Sequence, residues 1–143
     1  MSEATPKTPA ERLDAFLARA PYAAFIGMRA EMAGDEMTAT LPFGPHLFGN
    51  AKLLALHGGL IGGFMEMTAL AQLSASETSA RRPKTIDVTI EYLRPGRAQA
   101  TYARADLRKV GSRIANVHVE AWQDNRAHPI AALRGHFLLT GEG

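Results

Sequence analysis

Cysteine is absent from the 143 residues. That absence excludes disulfides, a thiolate metal site and a cysteine nucleophile, and it suits a reducing, cytoplasmic compartment. Strong charge is missing too. A net charge of +2 is too mild to argue for nucleic acid, although it favours an anionic small molecule. No apolar core stands before residue 13, so no signal peptide is expected. His46, His118, His128 and His136 share no metal-ligand spacing and read as surface or core histidines, so no metal is expected. Internal repeats and low-complexity tracts are lacking. Residues 1–7 read as a flexible N-terminus and residues 8–143 as one domain with a single core.

What the chain does have is an apolar stretch at residues 53–73, with one charge in it. Between Lys52 and Glu77 that charge is Glu66. The stretch is long enough to span a bilayer, but a mid-span carboxylate, four glycines and no flanking anchors favour a helix buried inside a soluble fold. A lone carboxylate there costs several kcal/mol to bury unless compensated. Desolvation raises the pKa of such an acid toward neutrality, which suits a general base or nucleophile. The blander reading is an acid neutralised by an arginine or by backbone N–H groups. Gly58 and Gly59 stand where the helix begins, and N–H groups at a helix N-terminus can hold a developing negative charge. Alternatively they permit close helix–sheet packing. A base and an oxyanion site on one segment point to acyl transfer. His57 is a second candidate base. Gly62 and Gly63 inside the helix cost about 1 kcal/mol each relative to alanine, so a close approach is expected there, by a partner helix or by a bound substrate.

Thr8-Pro9-Ala10-Glu11 is a capping box that opens a short helix to about residue 20, with Leu13, Phe16 and Leu17 as its apolar face. Residues 22–32 and 36–41 read as strands around the turn Ala33-Gly34-Asp35. Residues 42–50 read as a loop that shapes a pocket wall with Phe43, Leu47 and Phe48, and residues 74–82 as a polar turn. Three or four strands follow. In the first, Ile86, Val88, Ile90 and Tyr92 alternate with Asp87, Thr89 and Glu91; the others cover residues 99–107, 114–122 and 130–140. Hairpins join them at Lys109-Val110-Gly111-Ser112 and Asp124-Asn125-Arg126. The fold class is therefore α+β: a curved antiparallel β-sheet wrapped around a long central helix, preceded by a short N-terminal helix.

The segment His57-Gly58-Gly59-Leu60-Ile61-Gly62-Gly63-Phe64-Met65-Glu66 resembles the signature of the hotdog-fold acyl-CoA thioesterases, in particular the phenylacetate-pathway (PaaI-like) branch. Thr85-Ile86-Asp87-Val88-Thr89-Ile90-Glu91-Tyr92-Leu93-Arg94-Pro95 is similar to the first long strand after that family's central helix, and Ala131-Ala132-Leu133-Arg134-Gly135-His136-Phe137 to its closing strand. The likeness runs from about residue 22 to 140. It implies an acyl-CoA substrate, no cofactor, and a homodimer that pairs into a homotetramer. By the same resemblance His57 is structural or substrate-positioning. Asn50 helps place the thioester or the water, although it lacks the usual intervening glycine, and Thr85 stands near the attacking water. Glutamate at position 66 departs from the commoner aspartate; related 4-hydroxybenzoyl-CoA thioesterases carry glutamate there. Arg108 and Arg113, with Arg81, Arg82, Lys84 and Lys109, are candidates for the CoA phosphates or a solvated charged surface. Gly59 completes the substrate-binding set.

Helix geometry bears on assembly. At a rise of ~1.5 Å per residue, Glu66 lies about 12 Å along the axis from Gly58. Catalysis needs base and oxyanion donors within roughly 3 Å of adjacent atoms of one carbonyl–water pair. Two antiparallel copies bring the ends together; one helix does not. The expected activity is hydrolysis of an aromatic or short- to medium-chain acyl-CoA. The alternatives are a hotdog enoyl-CoA hydratase or dehydratase, suggested by residues 66–72, and a non-catalytic acyl-CoA-binding module.

Overall fold

A computed structural model of the chain describes residues 7–43, 58–77 and 81–140. Asn50, His46, Leu47, Phe48 and His57, with most of the expected pocket-wall loop, lie outside these residues.

The chain opens with α1 (Pro9–Ala18), started by the expected capping box. The Thr8 hydroxyl accepts from the Glu11 N–H at 3.1 Å and the Glu11 carboxylate accepts from the Thr8 N–H at 2.9 Å. Leu13 and Phe16 are buried. The next segment differs from the strand expected over residues 22–32. Pro21 starts a second helix, α2 (Pro21–Ile26), which Gly27 stops in the left-handed conformation at φ 74°. Only Arg29–Ala33 forms the strand β1, and Glu36–Leu41 forms β2 across the expected turn, where Gly34 takes φ 68°. Proline at the first helical position and glycine just past the last are the ordinary punctuation of a helix. Here they override the strand-like composition of Tyr22-Ala23-Ala24-Phe25-Ile26.

The long helix α3 spans Gly58–Ser76, passing through Ser74 and Ala75, which the sequence had assigned to a turn. Both are buried, and packing of that last turn outweighs its polar composition. Four strands follow: β3 (Arg82–Tyr92), β4 (Thr101–Val110), β5 (Ile114–Trp122) and β6 (Ala131–Thr140). They join β1 and β2 in a six-stranded antiparallel sheet of order β1-β2-β4-β5-β6-β3. The architecture is the hotdog: a curved antiparallel sheet around a central helix, with a short helix before it. Small residues let the helix approach. Ala103, Ala115 and Ala121 lie fully buried in the same core cluster as Phe64 and Met65 of α3. α1 and α2 cover the other side of α3, so a helix that is apolar nearly all round is packed nearly all round. No helix among the described residues is long and apolar enough to cross a membrane.

β3 leaves the helix only to become an edge strand beside β6. Its register slips between Thr85 and Asp87, where Ile86 is the extra residue of a β-bulge. Consequently Ile86, expected on the inner face with Val88 and Ile90, is 51% exposed. Gly135 faces this bulge: a Cβ there would sit 3.0 Å from the Asp87 carbonyl oxygen, so the close approach requires glycine.

Candidate active site

The bulge has a chemical consequence. In an unbroken strand side chains alternate faces, and Thr85 would point outward with Asp87, Thr89 and Glu91. One extra residue reverses that parity, and Thr85 turns inward to share a side with Val88 and Ile90. There its hydroxyl donates to Oε2 of Glu66 at 2.7 Å. Two of the expected site residues are thus brought into direct contact. Glu66 is half-buried, open enough to meet solvent or a ligand, and among the described residues no arginine or lysine pairs with it. Its carboxylate is met by a neutral hydroxyl.

Gly58 is the first residue of α3 and Gly59 the second. The Tyr92 hydroxyl donates to the Gly58 carbonyl oxygen at 2.8 Å. α3 runs as continuous helix through both Gly58 and Glu66, so the two stay about two turns apart in one chain.

The mid-helix glycines were expected to admit a partner helix or a substrate. Other parts of the same chain occupy both positions. A Cβ on Gly62 would lie 2.9 Å from Ile90 Cδ1 and 3.2 Å from the Tyr92 hydroxyl. On Gly63 it would lie 2.5 Å from the Tyr22 hydroxyl and 2.9 Å from the Tyr22 ring. The Tyr22 phenol is held above its ordinary pKa, first by burial and then by the nearby Glu66 charge. Tyr22 therefore belongs to the Glu66 neighbourhood, and its place there was missed because residues 22–32 read as a strand. The available signal was Pro21 and Gly27 bracketing one short helix.

Arg108 and Arg113 are not brought to Glu66. Arg108 occupies a second bulge, between Leu107 and Lys109 in β4, and its Nε lies 3.1 Å from Asp106 and 3.3 Å from His118 Nδ1. It lines a concavity of about 790 Å³ with Gln72, Arg104 and Trp122, to which neither Glu66 nor Thr85 contributes. The charges there largely pair with one another, Arg104 with Glu36 and Arg134 with Glu91, as on a solvated surface. Arg113 is exposed in the β4–β5 turn, where its carbonyl accepts from the Leu139 N–H at 2.7 Å. Arg81 reaches the same turn, donating to the Ser112 carbonyl while pairing with Glu77 at 2.6 Å. His136 pairs with Asp87 on the outer surface at 2.9 Å.

Residues 55–130 match the model of the Thioesterase superfamily. The chain is 29% identical over 132 residues to the medium/long-chain acyl-CoA thioesterase YigI of Escherichia coli (strain K12), covering 82% of this chain and 84% of the relative. A solved structure from Chromobacterium violaceum is 39% identical, with a TM-score of 0.73 over 92% of this chain and 96% of that one. A Bacillus halodurans protein solved with CoA shares the fold at 20% identity and a TM-score of 0.74, covering 92% of this chain and 87% of that one.

Proposed function

The chain belongs to the thioesterase superfamily and is a thioester hydrolase, and from that premise we propose that it hydrolyses medium-chain acyl-CoA to free acid and CoA at a site shared between two subunits. The sequence reading allowed aromatic or short- to medium-chain acyl groups; the name of the E. coli relative covers medium and long chains, and the medium chain is common to both. The observation that carries the mechanism is the Thr85–Glu66 hydrogen bond, which holds a half-buried carboxylate on a helix with no other charged residue.

Thr85 engages one carboxylate oxygen and leaves the other to act. Glu66 takes a proton from water as the water oxygen bonds to the thioester carbon; alternatively its carboxylate attacks that carbon, and the mixed anhydride left when CoA departs is hydrolysed by water to free acid and the regenerated carboxylate. The Gly58 N–H of the partner subunit receives the charge that develops on the carbonyl oxygen, helped by the positive end of α3. The C–S bond then breaks, and the CoA thiolate leaves and is protonated. Among the described residues β3 has one edge with no neighbouring strand, and this supports assembly, since such an edge is a ready template for a second copy. Pairing of dimers into a tetramer is part of the same proposal. The exposed basic residues at the start of β3 and in the β4–β5 turn, Arg82, Lys84 and Arg113, suit the CoA phosphates better than the self-paired Arg108.

Glu66→Gln tests the reading. It keeps the shape and removes the charge, so the protein should fold at equal or higher stability and bind substrate almost unchanged. Turnover of octanoyl-CoA, followed by free-thiol release, should fall at least ~10²-fold, the lower end of what general-base catalysis contributes. A near wild-type rate would end the assignment of Glu66.

A further inference from the structure

We infer that Tyr92 is a positioning residue for hydrolysis: from the end of β3 it clamps the carbonyl and Cα of Gly58 and so holds in place the residue whose N–H is assigned to the carbonyl oxygen. The inference rests on that assignment of Gly58.

An oxyanion donor must be aimed before the reaction begins, because its advantage over water is that it does not reorganise. Gly58 is poorly suited to hold an aim by itself. Glycine has the widest choice of backbone angles, and three more glycines follow Gly58 within the next five residues of the helix. Tyr92 restrains it from two directions. Its hydroxyl donates to the Gly58 carbonyl at 2.8 Å. Its ring covers the face of the Cα where a side chain would be: a Cβ on Gly58 would lie 3.5 Å from both Cε1 and Cζ, an ordinary packing distance. The same hydroxyl lies 3.2 Å from the Cβ position of Gly62, one turn further along, so one phenol spans the first turn of α3.

The clamp is itself anchored. Tyr92 pairs with Ala131 at the end of β6, and the N–H groups of Leu93 and Arg94 both donate to the Ile130 carbonyl, at 2.8 and 3.1 Å. Burial does not account for the residue, because Tyr92 is 54% exposed. Its hydrogen bond to Gly58 is exposed as well, so losing the hydroxyl strands no buried group. The expected consequence is a change in rate, with little change in folding.

Tyr92→Phe, made in the full chain, keeps the ring and deletes the donor. With octanoyl-CoA, kcat should fall between ~10- and ~100-fold, since a misaimed donor loses part of what a deleted one loses. KM, the acid limb of the pH–rate profile and Tm should stay close to wild type, and amide exchange in the first turn of α3 should quicken. Tyr92→Leu, which removes the ring as well, should lose at least as much activity. A Tyr92→Phe enzyme with wild-type kcat would overturn the inference. So would a loss of activity that tracks loss of folded protein, which marks a merely structural residue. Wild type and Glu66→Gln run in parallel separate the two levels. An inactive wild type removes the proposed function and the clamp together; an active wild type, an inactive Glu66→Gln and an unaffected Tyr92→Phe remove the clamp alone.

Discussion

From Gly58 to Glu66, α3 carries four glycines and a carboxylate; from Thr68 to Ala75 it carries no glycine and no charge. The neighbours differ in the same way. The first half meets three hydroxyls, those of Tyr92, Tyr22 and Thr85, each directed at a glycine or at Glu66. The second half packs Ala69, Ala71, Leu73 and Ala75 at or near zero exposure and satisfies the side chains of Thr68 and Gln72 internally, while the buried Ser74 hydroxyl has no partner among the described residues. Thr68 donates back to the Phe64 carbonyl at 2.8 Å, and Arg12 covers the Ala75 carbonyl at 2.8 Å. Gln72 accepts from the Met37 N–H at 3.1 Å and donates to the Asp35 carbonyl at 3.2 Å, tying the β1–β2 turn to the helix. One half gives up helix propensity so that groups can approach the backbone; the other supplies the packing that holds the helix in place.

The sharpest way to break this division is subunit mixing, because it asks whether the first half works alone. Gly58→Pro deletes the N–H assigned to the carbonyl oxygen. Gly58→Pro and Glu66→Gln should each be inactive. Dimers formed from an equal mixture should recover about a quarter of wild-type turnover, since half are mixed and each holds one intact site. Verified mixed dimers that stay inactive would remove the shared site.

The second half should respond in stability alone. Gln72→Leu leaves the buried Met37 N–H without its acceptor and should cost ~1–3 kcal/mol in chemical denaturation, with kcat per folded molecule unchanged. A rate loss larger than the loss of folded protein would show that the halves are coupled.

Gly63→Ala sharpens the contrast further. Alanine favours the helix by about 1 kcal/mol, but its methyl meets Tyr22 at 2.5 Å, so in the native background stability should fall or stay level. In a Tyr22→Ala background the same substitution should stabilise. A thermal double-mutant cycle that shows no change of sign would separate Tyr22 from Gly63.

The smallest effect concerns the phenol itself. Burial, and secondarily the Glu66 charge, raise the Tyr22 pKa in the folded state. A raised value favours the neutral form, so this contribution to stability is complete below the ordinary tyrosine value near 10 and is lost as pH climbs through the folded value. Glu66→Gln should shift the ultraviolet titration of Tyr22 downward, leaving the burial effect in place. An unmoved titration would place Tyr22 beyond the reach of Glu66.

Much of this was legible beforehand. The capping box at Thr8, the alternation across Ile114–Trp122 and the isolated charge at Glu66 are local patterns, and local geometry is enough to read them. The family resemblance likewise rests on contiguous segments. Tyr22–Ile26 was misread because six residues hold too few turns for a helical period, and their aromatic and branched side chains also suit a strand. Arg108 was a candidate for the CoA phosphates or for a solvated surface, and spacing does not reveal that Asp106 and His118 engage it.

The sequence by itself determined the order of the elements other than α2, the buried helix and the identity of its carboxylate, since hydrophobic period and the cost of burying a charge act along a single segment. Tertiary structure decided which groups meet that helix. The apolar alternation continues unbroken through Ile86, so nothing local announces the bulge that turns Thr85 toward Glu66; it forms where β3 is fitted against β6 and Gly135 lets the backbones close. Nor does spacing tell that Tyr22 fills the notch at Gly63 or that Tyr92 reaches Gly58. Those contacts join residues 34 or more positions apart, and only the packed chain brings such partners within bonding distance.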